Sequence, residues 1–191
     1  MLSALDRTFH WGLVAISFLA PLLFLRSIHD FANLPQSAFI QVGVVFLFFV
    51  WLIKSFMGQR CLILKSPINL PILAFVLWSL VSFSYAHNRY EAFAAWRPLA
   101  ASALMFFLVI NENYEKRRLI QLLAAVFISG CTCAFLGIAQ HLLGLSWVPQ
   151  VTPPAATFAN KNMAAQFVVL TFPLAVGLIN RVPSHLRKEL S

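Results

Sequence analysis

The chain has 191 residues, 60% of them hydrophobic and 10% charged, with a formal net charge of +8. A soluble domain carries roughly 25% charged residues and at about this size still leaves roughly 30% of its unfolded surface in water, so an ordinary soluble fold is excluded and a bilayer must cover the apolar excess. Three cysteines, Cys61, Cys131 and Cys133, are too few for a disulfide framework; the last two, two apart in a helix-forming run, point to different faces and make no metal pair.

Six apolar runs occupy most of the chain, each about long enough to cross a hydrocarbon core of roughly 30 Å. In lipid a spanning segment must satisfy its own backbone hydrogen bonds, which selects helices. The expected fold is therefore all-α, a polytopic transmembrane bundle of about six helices forming a single domain over 1–191. The first helix is expected from Thr8 to Leu25, with Pro21 near its far end. It is expected to be a membrane span rather than a cleaved signal, because no convincing small-x-small site follows it and five more expected spans do. The second runs from Ser37 to Phe56, with Lys54 near enough to its end to snorkel into the headgroups. The third, Ile68 to Ala86, opens on Pro67 and Pro71, which a first turn tolerates. The fourth covers Ala92 to Ile110, the fifth Leu119 to Leu143 and the sixth Asn162 to Asn180.

Lysine and arginine set the orientation. With a cytoplasmic N-terminus, the inner loops hold Arg7, Lys54, Arg60, Lys65, Lys116, Arg117, Arg118, Arg181, Arg187 and Lys188, while the outer ones hold only Arg26, Arg89, Arg97 and Lys161. The excess predicts both termini in the cytoplasm. The positive charge is thus a topology signal that brings anionic phospholipid into contact, and nucleic acid need not be invoked as a partner.

No internal repeat, low-complexity tract or soluble domain interrupts the spans. The longest connection, from about Gly144 to Lys161, is rich in proline and carries Trp147, a residue suited to the membrane interface. Loops of this length are often functional. It leads into the string Ala156-Thr157-Phe158-Ala159-Asn160-Lys161-Asn162-Met163-Ala164-Ala165-Gln166-Phe167, with Pro173-Leu174 further on. Asn160 or Asn162 can cap the sixth helix by accepting from an orphan backbone N–H. The same helix start, with free N–H groups and Lys161 beside it, is also a reasonable anion site.

A second cationic pair is Arg89, in the loop before the fourth helix, and Arg97, inside that helix just before Pro98. An arginine at membrane depth costs a few kcal/mol and faces protein, water or a headgroup. If Arg89 joins the first turn, both guanidinium groups can approach one side of the helix entry, where their forks suit phosphate oxygens. The plainer alternative makes Arg89 a loop charge near Glu91 and lets Arg97 snorkel. His141, beside Gln140 at the outer end of the fifth helix, is either a general base or an interfacial polar residue. His10, His29, His87 and His185 form no metal-ligand spacing with carboxylates, and no cofactor is implied.

The Thr157-Phe158 to Asn162 string, the proline opening the third helix, the serines Ser82 and Ser84 at its exit and the short arginine-bearing connection after it together resemble the O-antigen ligase and polymerase superfamily of bacteria. That group includes pilin and protein oligosaccharyltransferases. Pro153 and Pro154 stand where family members often carry an arginine. The resemblance implies a multi-pass protein of the bacterial inner membrane acting in lipopolysaccharide or polysaccharide biosynthesis. Glycan would pass from undecaprenyl diphosphate to lipid A core, a polysaccharide or a pilin. Arg89, Arg97, Asn160, Lys161 and Asn162 would contact the substrate. The chain would correspond to the N-terminal half of such an enzyme, because the family's catalytic histidine lies in a later outer loop; no catalytic residue is assigned here. The competing classes are a transporter component, against which the lack of paired acids within a helix argues, and a non-catalytic membrane scaffold.

Overall fold

The computed structural model describes residues 2–58, 66–112 and 115–179. Among these the chain is all-helical, with α1 Leu2–Leu19, α2 Asn33–Met57, α3 Asn69–Val81, α4 Arg89–Ile110, α5 Lys116–Leu143 and α6 Lys161–Ile179. By length and composition α2, α4 and α5 can each cross a membrane, and α3 is a shorter apolar helix. The chain divides into two compact units, one of Met1–Leu13 with Ser37–Asn113 and the other of Val14–Gln36 with Tyr114–Ser191.

Local chemistry fixes most helix ends. Asn88 caps α4, its Oδ1 accepting from Tyr90 and Glu91 N–H at 3.0 and 3.3 Å, and Glu91 adds an acid to a first turn that favours one. Asp30 does the same for α2, accepting from Asn33 N–H at 3.0 Å. Gly144, at φ 61, ends α5 in the left-handed conformation that glycine adopts without strain. The third helix stops earlier than its apolar run. Ser79, Ser82 and Ser84 each donate to the carbonyl three residues back, at 2.6 to 2.8 Å, and the chain tightens into a 3-10 turn over Ser82–Ser84. The first helix begins earlier than expected, at Leu2, and ends earlier, because Pro21 falls in a 3-10 turn over Ala20–Leu22.

In the first unit the core gathers Phe9 and Leu13 of α1, Val44, Leu47 and Trp51 of α2, and Leu108 of α4. Gly12 lets α1 approach Leu47, because a Cβ there would collide with the leucine methyl. Trp51 meets Phe107 edge-on at 5.1 Å. The α3 helix has no buried residue at all, and Leu70 and Trp78 are about three-quarters exposed, an apolar surface fitting a lipid environment rather than water.

The second unit is built on α5, which packs against α6 and the Ala20–Leu22 turn. A third of its apolar window is buried, against 11% for α4, which marks it as an interior helix. Gly130 makes the α5–α6 approach possible: a Cβ at this position would overlap the Thr171 side chain. Around it Cys133, Ala156, Phe158 and Ala164 form a buried cluster, flanked by Leu22, Leu136 and Phe167.

Candidate functional site

Pro21 and the helix end before it leave carbonyls without intrahelical donors. The Ala20 carbonyl takes the Leu23 N–H, and three others meet side chains. Ser129 of α5 donates to the Phe18 carbonyl at 3.0 Å, Thr157 donates to Pro21 at 2.5 Å, and the Gln36 amide donates to Leu23 at 3.1 Å. The Thr157 partner comes from the long connection before α6, which folds into the unit rather than over its surface: Val148 and Ala155 to Phe158 are all buried. Trp147 closes edge-on over Phe24 at 5.4 Å.

A buried loop must satisfy its own backbone, and Gln140 does this for the most strained residue in it. Ala156 has φ 52, a left-handed conformation costly for a residue with a Cβ. The Gln140 amide grips both of its polar groups, accepting from its N–H at 2.7 Å and donating to its carbonyl at 2.8 Å. Gln150 accepts from the neighbouring Ala155 N–H at 2.9 Å. In the sequence Gln140 stands out only as the neighbour of His141; its signal is an amide ending an apolar helix, where polar groups usually have an assigned partner.

The start of α6 is fully committed. Asn160 is the cap, its Oδ1 accepting from Asn162 N–H at 2.8 Å. Its carbonyl takes the N–H groups of Met163 and Ala164 at 3.1 and 3.2 Å, and Lys161 N–H goes back to the Thr152 carbonyl at 3.2 Å. The expectation of free N–H groups at this helix start is therefore corrected: all four are used within the chain, and only side chains remain to meet a ligand. Those of Lys161 and Asn162 are exposed and that of Asn160 is half-buried. Capping falls to Asn160 alone.

The two arginines lie in the other unit. Arg89 is the first residue of α4 rather than a loop residue, which corrects its expected place and satisfies the condition for pairing with Arg97. Eight residues put them about 12 Å apart along the axis and about 80° around it. Both are exposed. The Arg97 guanidinium lies 5.5 Å from the centroid of the Phe93 ring, a cation–π contact within the usual range, and Phe93 stacks on Trp96 at 6.4 Å. The Asn160–Asn162 run and the arginine pair thus belong to separate units.

Lys54 does not snorkel. Its Nζ lies 2.6 Å from Asp6 and 3.4 Å from Glu112, whose side chain is fully buried, and 5.3 Å from the Phe9 ring centroid. This trio joins α1, α2 and the end of α4 across gaps in sequence that no local pattern displays. His141 is exposed in the last turn of α5. Cys131 is exposed and Cys133 buried, both free; Cys133 lies 3.7 Å from the Thr157 hydroxyl. Arg60, Cys61, Lys65, Asn180, Arg181, His185, Arg187 and Lys188 lie outside the described residues. Among the described residues, no group of three metal-ligating side chains converges. Compared with known proteins, the chain matches no family model, no curated protein and no solved structure.

Proposed function

We propose that the chain spans the bacterial inner membrane six times with both termini in the cytoplasm, and forms part of an O-antigen ligase-like glycosyltransferase that takes glycan from undecaprenyl diphosphate. The observation that carries this reading is the construction of the Thr157–Asn162 string. Thr157 and Phe158 are sunk into the unit as anchors, Asn160 starts the helix, and Lys161 and Asn162 are left facing outward. Charge placement supports the topology, with ten of the fourteen lysines and arginines on the inner side.

In this reading the donor diphosphate lies against Arg89 and Arg97. Their fixed charges stabilise it as it departs with the negative charge developed on breaking the glycosidic bond. In the other unit the exposed Lys161 and Asn162 are a separate polar surface for glycan. The acceptor is lipid A core, a polysaccharide or a pilin hydroxyl.

Two measurements test the proposal. Single cysteines introduced at Phe31, His87 and Val151 should react with a membrane-impermeant maleimide from outside, and one at Gly58 only after the membrane is opened; reversal at two of these sites would end the topology. In membranes making glycan from a lipid-linked donor, Arg97→Ala should reduce transfer far more than Arg26→Ala at equal protein levels. Equal losses would remove Arg97 from the site.

A further inference from the structure

Arg89, Phe93 and Arg97 stand four residues apart on α4, so they share one ridge that turns about 40° at each step and covers about 12 Å along the axis. The aromatic member is in the middle. Phe93 is about half exposed, and its ring has two neighbours of different kinds. One is Trp96, stacked on it with centroids 6.4 Å apart and planes 23° off parallel. Trp96 is itself met edge-on by Phe83, in the turn after α3, at 6.1 Å, and walls an apolar furrow of about 440 Å³ between α3 and α4. The other neighbour is the Arg97 guanidinium, 5.5 Å from the Phe93 centroid. A run of rings thus ties this cation to the turn that ends α3.

A carboxylate and a ring hold an arginine in different ways. A carboxylate fixes the guanidinium, but it also neutralises the charge and takes up N–H donors. A π face attracts the cation and leaves its charge and donors for another anion. Among the described residues both salt bridges belong to Lys54, and Glu91, the acid in the first turn of α4, lies about 240° round the helix from Arg97. The ring therefore holds Arg97 where no carboxylate does. A long side chain loses rotamer freedom when it binds a ligand, and one already resting on a ring has less left to lose.

We propose that Phe93 is a positioning residue of the donor site: backed by Trp96, it holds the Arg97 guanidinium in place, still charged and with its donors open, on the same ridge as Arg89. This deepens the function proposed above and rests on it. Phe93 touches no phosphate and acts through Arg97.

The test is a double-mutant cycle on the binding of an undecaprenyl-diphosphate-linked glycan to the whole chain in nanodiscs. Phe93→Leu and Phe93→Met keep an apolar side chain and remove the π face; each should weaken binding about two- to fivefold, the worth of an exposed cation–π contact. Phe93→Tyr and Phe93→Trp keep a π face and should bind as the wild type does. Once Arg97→Ala is in place, adding Phe93→Leu should weaken binding no further, whereas a ring that serves packing alone would lose the same factor with or without Arg97. Wild-type binding by both Phe93→Leu and Phe93→Met, aromatic variants as weak as the aliphatic ones, or losses that simply multiply in the double variant would each overturn the proposal and leave the role of Arg97 standing. No saturable binding to the wild type, or none lost with Arg97→Ala, would instead overturn the function itself and take the role of Phe93 with it.

Discussion

The two units hold themselves together by opposite means. The unit containing α5 and α6 is knitted by side chains that answer backbone groups: Gln140 on Ala156, Thr157 on Pro21, Ser129 on Phe18 and Gln36 on Leu23. The unit containing α3 and α4 relies on aromatic contacts and one ion-pair trio around Lys54, and leaves an open furrow and an unburied helix. Where an irregular segment is folded inside, every peptide group in it needs a partner, so polar side chains accumulate. Where helices alone are present, the backbone is already satisfied and sparse side-chain contacts suffice.

The largest expected effect is in the sparser unit. Lys54→Met removes a cation lying 3.4 Å from Glu112, whose side chain is fully buried, and loss of one partner of a buried pair costs up to about 3–5 kcal/mol. Asp6→Asn touches the more exposed arm of the trio and should cost about 1 kcal/mol or less. Thermal unfolding in detergent, followed by tryptophan fluorescence, separates the two; equal effects would show that Glu112 does not depend on Lys54.

Next, Gln140→Leu should cost roughly 2–6 kcal/mol, since both polar groups of buried Ala156 lose their partner at about 1–3 kcal/mol each. Proteolysis between Leu145 and Ala159 should accelerate while the furrow unit keeps its melting behaviour. Uniform destabilisation of both units would erase the contrast drawn between them. Gly130→Ala should cost about 1–3 kcal/mol by overpacking against Thr171, and adding Thr171→Gly should recover a large part of it. A neutral Gly130→Ala would mean that α5 and α6 separate freely.

Most helix positions were legible in the sequence, because apolar runs announce their own length; α2, α4, α5 and α6 begin within about four residues of where the pattern puts them. The misses have local causes. The start of α1 was hidden because Leu2–Arg7 mixes Asp6 and Arg7 into the helix, and Asp6 is there to meet Lys54. The early end of α3 comes from serine back-bonding, which apolar periodicity does not register. Asn160 as a cap was readable from its residue type. The left-handed Ala156 was not, since nothing but glycine or asparagine signals that conformation in a sequence, and neither was the Gln140 grip, which joins residues sixteen apart. In the sequence Arg97 falls inside the fourth helix and Arg89 in the connection before it, where the structure makes Arg89 the first helical residue; at α6 the backbone N–H groups expected to be free are used by the loop and by Asn160.

The smallest stability effect separates the two asparagines. Asn160→Ala should cost about 1 kcal/mol and Asn160→Ser close to nothing, as expected of a cap. Asn162→Ala should leave stability unchanged, because no other atom is held by its side chain among the described hydrogen bonds. If Asn162 meets the glycan, Asn162→Asp should lower transfer in a fully stable protein, because a carboxylate lacks the two N–H donors that the amide offers to glycan hydroxyls. Normal transfer in Asn162→Asp would leave this string with a capping role only.

Direct binding of an undecaprenyl-diphosphate-linked glycan to the protein in nanodiscs, compared for wild type, Arg97→Ala and Arg26→Ala, bears most closely on the proposed function. The expected result is saturable binding to the wild type that Arg26→Ala leaves intact. Arg97→Ala should weaken it about tenfold or more, the equivalent of one charge-assisted hydrogen bond to phosphate. No saturable binding to the wild type, or identical affinities in all three proteins, would contradict it.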